Sequence, residues 1–253
     1  MEPGKNIYFA SDLHLGLPAI IATADRERHF VRWLTEIRDS IEELYLVGDI
    51  FDYWFEYREV VPRGFTRFLG KIAEITDSGI PVHLFTGNHD IWIFDYLPSE
   101  LGITLHRQPV IRDFNGKRFY IGHGDGIGPG DRRYKMLKKI FTNPVLQWLF
   151  ARLHPNFTVW LAHKWSHASR YGRDRLAEPF SSEEKEWLIR YARELNHKEH
   201  FDYFIFGHRH IPLDYPLNKN SRFIYLGDWI SHFSYAVFNG ESLALKTFDY
   251  PKA

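Results

Sequence analysis

Five strand-like runs in this chain end alike. In "IYFASDLH", "LYLVGDIFD", "VHLFTGNHD", "RFYIGHGD" and "YFIFGHRH" an apolar stretch stops and is followed within a few residues by Asp, Asn or His. In a parallel sheet the C-terminal strand ends face one crevice, where ligands bind in such folds. The groups so gathered are Asp12 and His14, Asp49 and Asp52, Asn88, His89 and Asp90, His123, and His208 and His210. One such Asp or His is ordinarily a turn former or a cap. Five in the same relative position are a constraint that turns alone would not impose.

The spacing of elements supports the parallel sheet. Helical patterns around residues 25 to 39 and 63 to 78 separate the first three runs, so the N-terminal half reads β-α-β-α-β. Further strand runs at 222 to 227, 235 to 238 and 243 to 248 lie close together and read as antiparallel. A helix is expected to begin at "SSEE", with Ser181 as N-cap and Glu184 three residues on. Residues 130 to 171 are of another kind. Pro144 and Pro155 divide them into three helical pieces, and Asn143 before Pro144 has the residue types of an N-cap and first helical position. Val145, Leu146, Leu149, Phe150 and Leu153 form one apolar stripe, and Phe157, Trp160, Leu161, Trp165 and Ala168 another. The chain therefore reads as a single domain over 1 to 253 with an all-helical insertion at 130 to 171.

Cysteine is absent, so disulfides, thiolate nucleophiles and sulfur-ligated metals are excluded, and any metal site must use imidazole and oxygen. Its absence points to the cytosol. The N-terminus runs straight into a strand without the pattern of a signal peptide, and no stretch approaches the roughly 20 apolar residues of a membrane span. With 32 basic and 32 acidic residues, no overall field favours nucleic acid as a partner. Nothing in the sequence points to an obligate protein partner.

Three carboxylates, an amide and four or five imidazoles exceed what one four-coordinate ion takes. They suit two divalent ions roughly 3.5 to 4 Å apart, the arrangement used for in-line displacement at phosphorus, with a carboxylate such as Asp49 bridging. Asp12 with His14, and His208 with His210, are spaced i, i+2, which on an extended segment sends both side chains to one side. A purely structural metal site would close its coordination, whereas this constellation leaves an imidazole unallocated beside two ions.

The ordered set Asp-x-His, Gly-Asp-x-x-Asp, Gly-Asn-His-Asp, Gly-His-x-Asp and Gly-His-x-His resembles the calcineurin-like metallophosphoesterases, across almost the whole chain. The resemblance implies an α/β fold, a four-layer αββα sandwich with a helical lid. It implies one metal held by Asp12, His14, Asp49 and His210, the other by Asp49, Asn88, His123 and His208, and a hydroxide between them as nucleophile. His89 would then serve the phosphoryl group or leaving oxygen, oriented by Asp52. The family favours manganese, and zinc or iron also suit nitrogen and oxygen donors.

Substrate must come from the surroundings. Protein phosphatases of this type carry Arg-Gly after the last Asp of the second motif, but Asp52 is followed by Tyr53, Trp54 and Phe55. Break-repair nucleases are expected to bring further domains and a basic groove. The insertion instead resembles the lid of the UDP-2,3-diacylglucosamine pyrophosphohydrolases of lipid A synthesis, through "GDRRYK", "NPVLQWLF" and "HAS". That resemblance implies hydrolysis to UMP and 2,3-diacylglucosamine 1-phosphate, and it places Asp131, Tyr134 and Ser169 against the substrate. The better-known branch of that family has arginine where this chain has His89, which keeps another nucleotide pyrophosphate or a phosphodiester as the alternative substrate. Aromatic amphipathic helices beside Arg132, Arg133, Lys135, Lys138 and Lys139 suit a lipid substrate and the cytoplasmic membrane surface.

Overall fold

The computed structural model describes residues 1–128, 132–171 and 180–250, and the side chains of residues 132, 133, 163 and 165–171 lie outside that description. Two sheets stack face to face. The first runs through β1 (Asn6–Ala10), β2 (Ile41–Leu46), β3 (Val82–Phe85) and β4 (Thr104–His106), all parallel, and is extended on the other side of β1 by the antiparallel strands β10 (Ser234–Phe238) and β11 (Leu243–Thr247). The second has the order β5 (Val110–Phe114), β6 (Lys117–Gly122), β7 (Tyr203–Phe206), β9 (Arg222–Leu226), β8 (Pro212–Pro216), with β6, β7 and β9 mutually parallel.

Period-two alternation builds three apolar layers from the same strands. Phe9, Tyr45, Phe119, Ile205 and Phe238 meet between the sheets. Their sequence neighbours Tyr8, Ala10, Leu44 and Leu46 turn outward against α1 (Thr23–Ile37) and α2 (Thr66–Asp77), where Phe30, Trp33 and Phe68 are buried. On the far side Tyr120, Phe204 and Phe206 pack against Leu188 and Ala192 of α7 (Trp187–Lys198). The layers run αββα, as expected. The short α3 (Tyr96–Leu101) follows the third strand exit, and Glu56 accepts from the amides of Phe94, Asp95 and Tyr96 at its entry.

Two expectations need correction. The C-terminal strands are not all antiparallel: β9 lies parallel to β7 because β8, between them in sequence, returns along the outer edge of β9. The helix expected from Ser181 starts at Trp187, after a 3-10 turn over Glu183–Lys185. The acidic side chains there serve distant partners instead of capping. Glu183 accepts from Arg193 and Tyr215, and Glu186 from Arg209 and Tyr225.

The insertion is helical in three pieces, α4 (Arg132–Phe141), α5 (Pro144–Phe150) and α6 (Pro155–Tyr171). Asn143 caps α5 as its residue type requires, with Oδ1 accepting from Val145 and Leu146 amides at 2.9 and 3.1 Å. Its apolar stripes do not form a core. Val145, Leu149, Leu153, Phe157 and Trp160 stand exposed. Among the described residues no helix is long and apolar enough to cross a membrane.

Candidate metal centre

All five strand exits converge. Ligand-type atoms of Asp12, His14 and His210 lie within 4.8 Å of one another, as do those of Asp49, His123 and His208, and those of His14, Asp49 and His89. Asp49 belongs to two of these groups and so sits between them, where a bridging carboxylate was expected. His89 stands nearer the cluster than its spacing allowed: its ring meets that of His14 edge-on at 4.7 Å.

The convergence is reached by a different backbone from the one the i, i+2 spacing suggested. Asp12, His14, Asp49, His208 and His210 all have positive φ, from 43° to 70°, so these pairs sit on left-handed turns and not on extended segments. Such conformations cost on the order of 1 to 3 kcal/mol each in non-glycine residues and persist where surroundings enforce them. Here the exits bind each other. The Asp12 amide donates to the Gly48 carbonyl and the His14 amide to the Asp49 carbonyl, both at 3.0 Å. The Asp12 carboxylate accepts from the His208 amide, and Asp49 Oδ1 from the His89 amide at 2.9 Å. Asp90 is a buried staple: it accepts from the amides of Gly87 at 2.7 Å and Ile50 at 2.8 Å, tying the third exit to the second. Glycine precedes ligand-type residues for want of space, since a Cβ on Gly87 would lie 2.1 Å from Asp49 Oδ1 and one on Gly48 2.5 Å from His123 Nδ1.

Imidazole orientation follows from the outer nitrogens. His123 Nδ1 donates to the Val47 carbonyl at 2.9 Å, which turns Nε2 toward Asp49 Oδ2 at 3.3 Å. His14 turns Nε2 toward Asp49 and Asp12 and has Nδ1 3.4 Å from Asp52 Oδ1. Asp52 therefore faces two rings, because the same oxygen is 3.5 Å from His89 Nδ1 while the Asp52 carbonyl accepts from that nitrogen at 3.1 Å. A carboxylate that the strand-exit pattern should have flagged is Asp228. It follows Gly227 at the end of β9, a sixth exit of the same kind, and its Oδ2 is 3.6 Å from His210 Nδ1.

The electrostatics demand positive charge. Burial disfavours ionised Asp49, yet His123, His89 and His14 hold its carboxyl well below the usual range. Burial works against a charged His123 too, and is outweighed by Asp49 and Asp12, which raise its imidazole to about 10. Burial and the neighbouring His123 push His208 down to about 4, and burial together with Asp49 lifts Asp90 to about 7. Asn88 Oδ1 and His123 Nε2 are buried with no hydrogen-bond partner among the described residues. Buried polar atoms of that kind call for a partner, and cations between the two groups would supply one to both.

Residues 5–212 match the family model "Calcineurin-like phosphoesterase". The chain belongs to the calcineurin-like phosphoesterases. It is 43% identical to a UDP-2,3-diacylglucosamine hydrolase of Porphyromonas gingivalis over 97% of this chain and 98% of that one. Proteins of the same name from Pseudomonas aeruginosa and Photobacterium profundum are 29% and 28% identical, over 88% and 96% of this chain and 91% and 96% of theirs.

In this phosphoesterase a cavity of about 420 Å³ opens between residues of the cluster and the helices of residues 134 to 162. Asp52, Asn88 and His89 form one wall, and Leu137, Phe141, Phe150 and Leu161 of the insertion form the other. Tyr134 also lines it, with its hydroxyl donating to Asp125 Oδ2 at 2.7 Å, the same oxygen that takes Lys138 Nζ. Asp125 thus fastens the insertion two residues beyond His123. Asp131 and the side chains of Ser169 and Trp165 lie outside the described residues. Tyr53 and Trp92 line the cavity and were not singled out by sequence; the Trp92 indole donates to the Phe141 carbonyl at 2.8 Å and its ring packs on Phe150.

Proposed function

We propose that this chain hydrolyses the pyrophosphate bond of UDP-2,3-diacylglucosamine, releasing UMP and 2,3-diacylglucosamine 1-phosphate, at the cytoplasmic face of a membrane. The observation that carries the proposal is a cavity that runs from Asp52, Asn88 and His89 to the apolar walls of α4, α5 and α6. A substrate anionic at one end and acylated at the other fits a site built that way. The relatives reported above are named UDP-2,3-diacylglucosamine hydrolases.

In this reading Asp12, His14, Asp49 and His210 hold one divalent ion, and Asp49, Asn88, His123 and His208 the other. The sulfur-free donor set suits manganese, with zinc or iron as alternatives. When bound, the ions supply Lewis acidity that makes water a nucleophile near neutral pH and offsets charge on the phosphoryl oxygens. The chain's own residues do the rest. Asp49 keeps its negative charge between the two groups. His89, turned by the Asp52 carbonyl, lines the cavity beside the cluster and stabilises charge on the leaving phosphate. That leaving group is a monoester with a second pKa of about 6, so it needs little help from a proton donor. Leu137, Phe141, Phe150 and Leu161 take acyl chain.

A membrane surface suits the outside of the insertion. Val145 is 64% exposed, Trp148 57% and Trp160 55%. The Arg152 guanidinium stacks on Trp148 at 4.6 Å and the Lys164 ammonium on Trp160 at 5.2 Å. Aromatic and basic groups mixed on short helices are what an interfacial element presents to anionic lipid.

Product analysis tests the proposal. Purified protein given UDP-2,3-diacylglucosamine should release UMP and the sugar 1-phosphate in equal amounts, stop on addition of chelator and resume with excess Mn2+. Release of UDP, or no turnover with any divalent ion, would overturn it.

A further inference from the structure

We propose that Asp228 is a positioning residue for the metal site, the carboxylate that fixes the ring of His210. The inference rests on the metal-site reading above and extends it to a residue outside the family motifs. Its basis is a repeated geometry. His123 faces the cluster with Nε2 and gives Nδ1 to the Val47 carbonyl. His14 faces it with Nε2 and has Nδ1 against Asp52 Oδ1. His210 follows the same plan: Nε2 lies 3.4 Å from Asp12 Oδ1 and 3.2 Å from His14 Nε2, and Nδ1 looks out at Asp228 Oδ2.

Asp228 is built for two tasks. Its Oδ1 accepts from the amides of Ile230, Ser231 and His232 at 3.1, 2.8 and 2.9 Å, which is the work of an ordinary turn former. Its Oδ2 takes part in none of those bonds and is the oxygen turned to His210. At 3.6 Å the contact is longer than a closed hydrogen bond, but the buried carboxylate is already on the ring's outer side. The same turn is tied to the first strand exit, because the Trp229 amide donates to the Asp12 carbonyl at 3.1 Å. A carboxylate on the outer nitrogen holds the proton at Nδ1, keeps the Nε2 lone pair inward and makes it a stronger donor to a cation.

Titration of metal-stripped protein with Mn2+ against a competing chelator tests this. Asp228→Asn keeps an amide oxygen for the three backbone donors and puts an NH2 where Nδ1 needs an acceptor. The variant should bind Mn2+ about 10- to 100-fold more weakly at one of two sites, with the other site and the melting temperature of the metal-free protein unchanged. In a His210→Ala background the same substitution should add nothing. Wild-type affinity at both sites in Asp228→Asn, or a weakening that persists in the His210→Ala background, would overturn the proposal. So would a lowered melting temperature with unchanged affinity, which marks a turn former only. Wild-type protein that bound no Mn2+ would instead remove the metal site itself, and the role of Asp228 with it.

Discussion

The Nε2 of His123 lies 3.3 Å from Asp49 Oδ2, held there by the bond its Nδ1 makes to Val47. Asp49 also reaches the group of His14, so one carboxylate serves two clusters. Asp49→Asn is therefore expected to lose both ions and turnover together, because a neutral amide compensates cationic charge poorly. Metal analysis and assay of the same preparation check this. A variant with two ions and near-normal rate would break the site at its centre.

The glycine before Asn88 makes a sharper steric prediction. A methyl group at Gly87 would sit 2.1 Å from Asp49 Oδ1, so Gly87→Ala must displace either the loop or the carboxylate. It should cost about 1 to 3 kcal/mol of stability and lower Mn2+ binding at both sites. Denaturant titration and metal binding measure the two effects separately. Unchanged values in both would show that the loop yields freely.

Most of the central strands and five of the six converging exits were legible because each central strand is buried on both faces or alternates cleanly. The strands that escaped notice were β4, β5 and β8, and all three are sheet edges. Their half-exposed faces carry charged or proline residues, as in "VIRDF" and "PLDYP", which removes the apolar signal. Asp228 escaped for another reason. Its Gly-Asp repeats the pattern of the other exits, but it acts on a histidine's outer nitrogen, and spacing along the chain carries no information on that. Nor did the stripes of α5 and α6 reveal in sequence that most of their residues face outward, because an apolar face on a short helix reads the same whether it meets a core or a lipid.

His89 separates two kinds of leaving group. If it stabilises charge on a phosphate, His89→Arg should keep measurable activity on UDP-2,3-diacylglucosamine. On an alkyl phosphodiester, whose alkoxide needs a proton, the same variant should lose about 100-fold or more. Parallel kinetics on the two substrates decide this, and equal losses would contradict the assigned role.

At the end of β4, His106 gives a pH prediction. Burial, and then the neighbouring His83 and Arg112, push its imidazole down to about 4, while His83 Nδ1 lies 3.1 Å from its Nε2. The unfolded chain takes up that proton near 6.5 and the folded chain only near 4, so this residue's contribution falls as pH drops through that window and is intact above it. Urea unfolding at pH 5 and 7.5 should show a smaller difference for His106→Gln than for the wild type. An identical difference would mean that His106 is not held neutral by the fold.

The union of metal cluster and acyl-lined cavity is tested most directly by comparing kcat/KM for UDP-2,3-diacylglucosamine and for the same nucleotide sugar without its acyl chains, in wild type and in Phe150→Glu. Burying even six methylenes at about 0.8 kcal/mol each amounts to about 5 kcal/mol, so the wild type should favour the diacyl substrate by at least about a thousandfold. A carboxylate at Phe150 should cut that preference by about 10- to 100-fold, through KM, while hydrolysis of a small phosphodiester stays within twofold. Equal kcat/KM for the acylated and deacylated substrates in folded wild-type protein would contradict the proposed function.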